Sequence, residues 1–243
     1  MKAAIVWSRD PRKTERRALG QCLRAASLGL AAAMAPLAHA GEVAGAVVTL
    51  EAISSRPGDQ VAAALPLRFV LLESGQVFVG GTSELLAGQL GKDEATGLER
   101  RVNDVRKLPG LGSTVTFGPG PGFRLVLGKS KPVDVLVQGD PAAAPAALLP
   151  LANLVKDLAG FGHPSLRPRA PAGFALGVRE GELVGGCRAW TLPVTLADAV
   201  AAPNVVPAES ATGWPTGATP AQVCSGDKTY VVTLRPLVPG ERP

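Results

Sequence analysis

The sequence predicts an α+β fold: an antiparallel sheet built from β-hairpins, with two main helices packed on one face. Three observations lead there. Short apolar runs rich in β-branched residues come in pairs around glycine-bearing turns. Two longer segments carry apolar residues at helical spacing. No long series of strand–helix–strand units, the mark of a parallel sheet, is visible.

Residues 1–40 are expected to be a cleavable signal peptide, leaving a single exported domain over 41–243. Lys2, Arg9, Arg12, Lys13, Arg16, Arg17 and Arg24 face only Asp10 and Glu15. An apolar run over 25–37 follows and ends in Ala38-His39-Ala40, a small-x-small cleavage pattern. The run contains Pro36 and is shorter than the roughly 20 residues of a bilayer span. Arg16-Arg17 leaves both the twin-arginine and the general secretory route open. Cys22 follows Gln21 and precedes the apolar zone, which argues against lipid attachment. The expected location is periplasmic or secreted, with no transmembrane segment once residues 1–40 are removed.

The leader accounts for the whole charge imbalance. The full chain carries +5, from 25 Lys and Arg against 20 Asp and Glu. The nine charges named above supply all of that excess, so residues 41–243 are formally neutral. A basic nucleic-acid footprint is absent from that part, and no nucleic-acid partner is expected.

Residues 43–53 (VAGAVVTLEAI) read as a strand, and 56–59 (RPGD) as a turn. Residues 67–81 form two apolar runs around Glu73-Ser74-Gly75-Gln76, a hairpin pattern. Over 92–108, Leu98, Val102, Val105 and Leu108 mark one face of a helix ended by Pro109-Gly110. The run 118–122 (GPGPG) reads either as a kinked turn between short strands or as a binding loop. A second hairpin is expected over 123–140 and a second helix over 146–159.

Both helices end in V-x-x-L-x-G-apolar-G, at Val105 and again at Val155. A third hairpin is expected over 174–186 (FALGVREGELVGG). These recurrences suggest a ββα unit repeated over 67–112, 123–162 and 174–237. They read equally as the common use of glycine at helix ends and hairpin turns. Residues 196–217 are expected to be a long surface connection, 220–224 a short helix and 229–237 a final strand.

Cys187 and Cys224 remain after leader removal, and an isolated pair in an oxidising compartment reads as one disulfide. Two free thiols or a metal pair are the alternatives. Closing their loop would stabilise by roughly 3–4 kcal/mol in the chain-entropy treatment. Trp190 and Trp214 flank this region, as core packing or as an aromatic binding face.

His163 is the one histidine of residues 41–243 and lies in a Gly-His-Pro turn. Imidazole side chains serve in acid–base and binding chemistry, so it is a candidate functional residue, with Asp140 or Asp157 available to orient it. Ser225-Gly-Asp-Lys228 matches a bare S-x-x-K string, but its Gly-Asp centre predicts a turn rather than the helix start that chemistry needs. Phosphate-loop and calcium-loop strings are absent. No metal and no cofactor are expected, and catalytic residues are not identifiable. The pattern favours a non-catalytic binding or interaction module with a protein or small-molecule partner. The alternative is a hydrolytic enzyme with a carboxylate-based site.

Overall fold

Among the described residues, alternating buried and open positions organise twelve strands into two sheets. The computed structural model describes residues 43–53, 68–80, 84–202, 204–217 and 219–241. The expected signal peptide and the 56–59 turn lie outside the described residues. The strands are β1 (Ala46–Ile53), β2 (Arg68–Leu72), β3 (Gln76–Gly80), β4 (Leu85–Gln89), β5 (Thr114–Thr116), β6 (Gly122–Leu127), β7 (Val133–Gln138), β8 (Arg167–Arg169), β9 (Gly173–Glu180), β10 (Asn204–Pro207), β11 (Ala221–Ser225) and β12 (Lys228–Pro236). The helices are α1 (Lys92–Arg106), α2 (Leu149–Ala159) and α3 (Leu196–Ala201).

The large sheet has the order β5-β7-β6-β1-β2-β3-β4-β8. Its neighbours are antiparallel except β5 and β7, which run parallel. The period of two in β1 sends Val48 and Leu50 to one face and Thr49 and Glu51 to the other. The first face packs against α1 through Leu98, Val102 and Val105, and against α2 through Leu151, Leu154, Val155 and Leu158. Each fully buried leucine there contributes about 1.5–3 kcal/mol of transfer free energy. The α+β class and the two main helices on one face are therefore those the sequence predicts.

The second sheet has the order β10-β9-β12-β11, antiparallel throughout. Its core holds Phe174, Leu176, Val206, Val223, Val232, Leu234 and Trp214, with Ala199 from α3. Trp190 and Trp214 meet edge to face at 5.8 Å. Their indole N–H groups donate to the Val194 carbonyl and the Thr191 hydroxyl.

The chain after β12 crosses to the helix-free face of the large sheet. Val238 joins Val43, Val70, Phe78 and Leu85 in a third apolar cluster there. Glu241 forms an isolated antiparallel bridge with Val43. Among the described residues this cluster lies over β2, β3 and β4.

Four local expectations are corrected. Residues 174–186 are not a hairpin: β9 is one strand, Val184 is exposed, and β9 pairs with β10 and β12 from later in the chain. The Val-Gly-Gly run offers little apolar surface, so distant strands with more to bury take both edges of β9. The 220–224 segment is strand β11, not a helix, because pairing with β12 across Gly226-Asp227 supplies its hydrogen bonds. The 196–217 stretch is not a plain surface connection: it holds α3 and β10, and it buries Val206, Ala211 and Trp214. The ββα repeat is not confirmed, since β4 separates the first hairpin from α1 and the third hairpin does not form.

Candidate functional site

A charged row crosses the helix-free face over β2, β1 and β6. In register, Glu51 of β1 lies opposite Arg68 of β2 on one side and opposite Arg124 of β6 on the other. Cross-strand partners sit about 4.5–5.5 Å apart at Cβ, so one carboxylate stands between two guanidinium groups. Arg124 is held by Asp134 of β7 through Nε at 3.0 Å and Nη2 at 2.6 Å. This pair raises the Arg124 pKa above its ordinary value.

Arg68 belongs to a buried network. Its Nη1 donates to Glu241 Oε2, and Arg235 Nη2 donates to Glu241 Oε1 at 2.6 Å. The Val238 N–H adds a third donor to Oε2 at 2.9 Å. Desolvation pushes the Glu241 carboxyl upward, but the Arg235 hydrogen bonds and the Arg68 and Arg235 charges prevail and hold it below its ordinary value. Burial depresses Arg68, with the nearby Arg235 charge adding to it and Glu241 and Glu51 opposing.

Arg68 Nε stands 3.1 Å from Glu51 Oε1, and the two side chains are only 5% and 9% exposed. The contact is ionic but lacks hydrogen-bond geometry, and neither atom has a hydrogen-bond partner among the described residues. These two atoms are closed to solvent and are each other's ionic partner. The residues that carry them line a cleft of about 280 Å³ together with Ala46, Thr49, Val126, Arg124 and Lys129. A second cleft of about 260 Å³ surrounds Ser74 and Gly75. The Gln89 amide there already donates to the Ser74 and Leu90 carbonyls.

His163 lies apart from the first cleft. Its Nδ1 accepts the Ser165 N–H at 3.2 Å and meets the Ser165 Oγ at 2.7 Å. Its Nε2 then carries the proton and faces Glu94 Oε1 at 3.3 Å. Glu94 Oε2 accepts the Gly91 N–H at 2.7 Å at the start of α1. That bond first, and His163 second, hold the Glu94 carboxyl below its ordinary value. The Ser165 Oγ also accepts the Gln89 N–H at 3.0 Å. His163 thus ties the loop after α2 to the first turn of α1 and the end of β4.

The structure does not bring Asp140 or Asp157 to His163. Asp140 caps a 3₁₀ turn through the Ala142 N–H at 2.9 Å, and Asp157 pairs with Arg101 at 2.6 Å. Ser165 and Glu94 take those places. A lone serine two residues after a histidine carries little signal, and Glu94 is 69 positions away in the chain. Glu51 and Arg68 also escaped the sequence reading, because opposite charges inside apolar strands look like ordinary solvent-facing positions.

Cys187 and Cys224 are joined as a disulfide with Cα atoms 5.5 Å apart. The bridge holds residues 187–188 along the edge of β11, where the Arg188 N–H donates to the Gln222 carbonyl at 2.9 Å. The Arg188 guanidinium lies over the Trp214 ring at 4.5 Å. The 118–122 run links β5 to β6, and its backbone packs directly against Gly139. Among the described residues no cluster of three or more His, Cys, Asp or Glu side chains is placed to hold a metal. No described helix is long and apolar enough to cross a membrane. Comparison with known proteins finds no matching family model, curated protein or solved structure.

Proposed function

We propose that this chain is an exported, non-catalytic binding protein that holds a small ligand in the cleft on the helix-free face of the large sheet. The observation that carries this reading is the cleft itself, about 280 Å³, whose wall sets Glu51, Arg68, Arg124, Lys129 and Asp134 beside Val43, Ala46 and Val126. Small-molecule sites are concave and combine an apolar wall with a few polar groups, as this cleft does. Export is supported by the charge and apolar zoning of residues 1–40 and by the Cys187–Cys224 bridge.

The test is a thermal-shift screen of a small-molecule library against the chain from Gly41 onward. A ligand at 100 times its Kd stabilises by about 2.7 kcal/mol. Thr49 sits on the cleft wall, so Thr49→Phe should abolish the shift while leaving the unliganded melting temperature near that of the parent. A library with no hit, or hits indifferent to Thr49→Phe, would remove the proposal. The amino terminus of protein recovered from the periplasm tests the export part, with Gly41 expected.

A hydrolytic reading is favoured by one observation, the Ser165–His163–Glu94 chain of contacts, which resembles a nucleophile, base and orienting acid. It is the weaker reading. Ser165 Oγ is already tied to the Gln89 N–H, and neither cleft is lined by His163 or Ser165. Turnover of p-nitrophenyl acetate that is lost in Ser165→Ala would establish it.

A further inference from the structure

We infer that residues 181–187 form an inhibitory loop for a serine endopeptidase that selects small aliphatic side chains, with Val184 entering its specificity pocket. Val184 stands wholly clear of the protein, at 110% relative exposure. The chain bends at Val184 and Gly185. A Cβ built on Gly185 or Gly186 would meet nothing within 4 Å, so the tip is open to a partner's groove. None of these residues lines the cleft on the large sheet, and the two sites are independent.

A solitary exposed valine is ordinary on a protein surface. What sets this one apart is that its backbone is held on both sides. Before it, the Gly181 N–H donates to the Thr229 carbonyl at 2.9 Å, and the Leu183 N–H donates to Gln222 Oε1 at 2.6 Å. After it, Gln222 Nε2 donates to the Gly185 carbonyl at 3.4 Å, and Cys187 is bonded to Cys224. One side chain, Gln222, thus bridges the residues on either side of Val184, and β11 carries both Gln222 and Cys224. A loop ordered before docking loses little entropy when it binds. A pocket sized for valine excludes aromatic and long basic side chains, which separates small-pocket endopeptidases from those that select arginine or phenylalanine.

The same anchors make the loop a poor substrate. When the protease serine hydroxyl adds to the Val184 carbonyl and the adduct collapses, an ester forms and the Val184–Gly185 C–N bond breaks. The hydroxyl proton passes to the Gly185 amine. Gln222 and the Cys187–Cys224 bridge keep that amine beside the ester. It attacks the ester, the peptide bond re-forms and the proton returns to the serine oxygen. Tethering gives this return a high effective molarity against hydrolysis by water.

The experiment titrates the disulfide-intact chain from Gly41 against pancreatic elastase, trypsin and chymotrypsin acting on chromogenic peptides, and follows cleavage of the chain by intact mass. Elastase should be inhibited at least about tenfold more strongly than the other two. Val184→Gly should weaken that inhibition by about thirtyfold or more, the scale of a central anchoring side chain. Val184→Arg should transfer inhibition to trypsin and, the position being wholly exposed, melt with the parent. Gln222→Ala keeps the backbone pairing with Val231 and should speed elastase cleavage after Val184 by about tenfold, the scale of the hydrogen bonds lost. An inhibitory role is overturned if elastase is inhibited no better than trypsin and chymotrypsin, or if its inhibition survives Val184→Gly. It is also overturned if elastase cuts the parent after Val184 as fast as it cuts Gln222→Ala, which would make the loop an ordinary substrate.

Discussion

Glu241→Ala should be the most damaging single change on the helix-free face. The Glu241 side chain is fully inaccessible and receives four hydrogen bonds, from Arg68, twice from Arg235 and from the Val238 N–H. Removing it leaves two guanidinium groups, 5% and 11% exposed, without their shared acceptor. Breaking a buried ion pair by deleting one partner costs about 3–5 kcal/mol, because the remaining charge stays desolvated. For a chain of this size each kcal/mol shifts the melting temperature by about 2–4 °C, so the expected loss is about 6–20 °C. Glu241→Gln keeps an acceptor and should cost less, about 1.5–3 kcal/mol.

Calorimetry and urea titration of the disulfide-intact chain from Gly41 measure both variants. The pH dependence is a second readout. The folded Glu241 carboxyl lies below its ordinary value of 4.5, so the contribution is complete above that value. It is lost as the pH falls through the depressed folded value. A quadruple change of Glu51→Leu, Glu241→Leu, Arg68→Met and Arg235→Met should recover most of the stability, since it removes the buried carboxylates together with the guanidinium groups that pair with them. A loss below about 1 kcal/mol in Glu241→Ala, or the same acid sensitivity in Glu241→Gln as in the parent, would refute the reasoning.

Three further outcomes follow from the same structure. Replacing Cys187 and Cys224 by serine should lower stability by about 4 kcal/mol in the chain-entropy treatment, given their separation of 37 residues; mass analysis of exported protein that finds two free thiols would contradict the bridge. Gly139→Ala should cost well over the roughly 1–2 kcal/mol of a left-handed residue, because its Cβ would come within 2.3 Å of the Gly118 carbonyl oxygen. Gly110→Ala, at a similar positive φ but in open space, should cost only that backbone penalty, so equal melting temperatures would be inconsistent with the packing described. Finally, the protection of the Gly91 amide relative to its intrinsic exchange rate should fall as the pH drops through the depressed Glu94 value, and His163→Ala should lower it at neutral pH; protection indifferent to both would show that His163 does not anchor α1.

Elements with local causes were legible in the sequence, and those with distant causes were not. The hairpin β2–β3 and the helix α1 were legible because their determinants are neighbours in the chain: Gly75 at the turn, and Leu98, Val102 and Val105 one turn apart. The third hairpin failed because Gly-bearing turns with flanking apolar residues specify a bend without specifying the partner. Strand β9 found β10 and β12 instead, and β11 became a strand only because β12 lay beside it. His163 was legible as a candidate from its scarcity, whereas its partners Glu94 and Ser165 were not, since the loop after α2 and the start of α1 meet only in the folded chain.

The cleft shows the same division more sharply. By itself the sequence determined the fold class, the neutrality of residues 41–243, the cysteine pair and the helix faces, all of which rest on composition or on spacings of a few residues. Only the tertiary structure decided that Glu51 stands between Arg68 and Arg124, and that Glu241 closes the network from far along the chain. Register across a sheet is set by which strands pair and by the twist that brings the chain after β12 back onto them. Those choices minimise exposed apolar area over the whole molecule, and no short window of residues contains them.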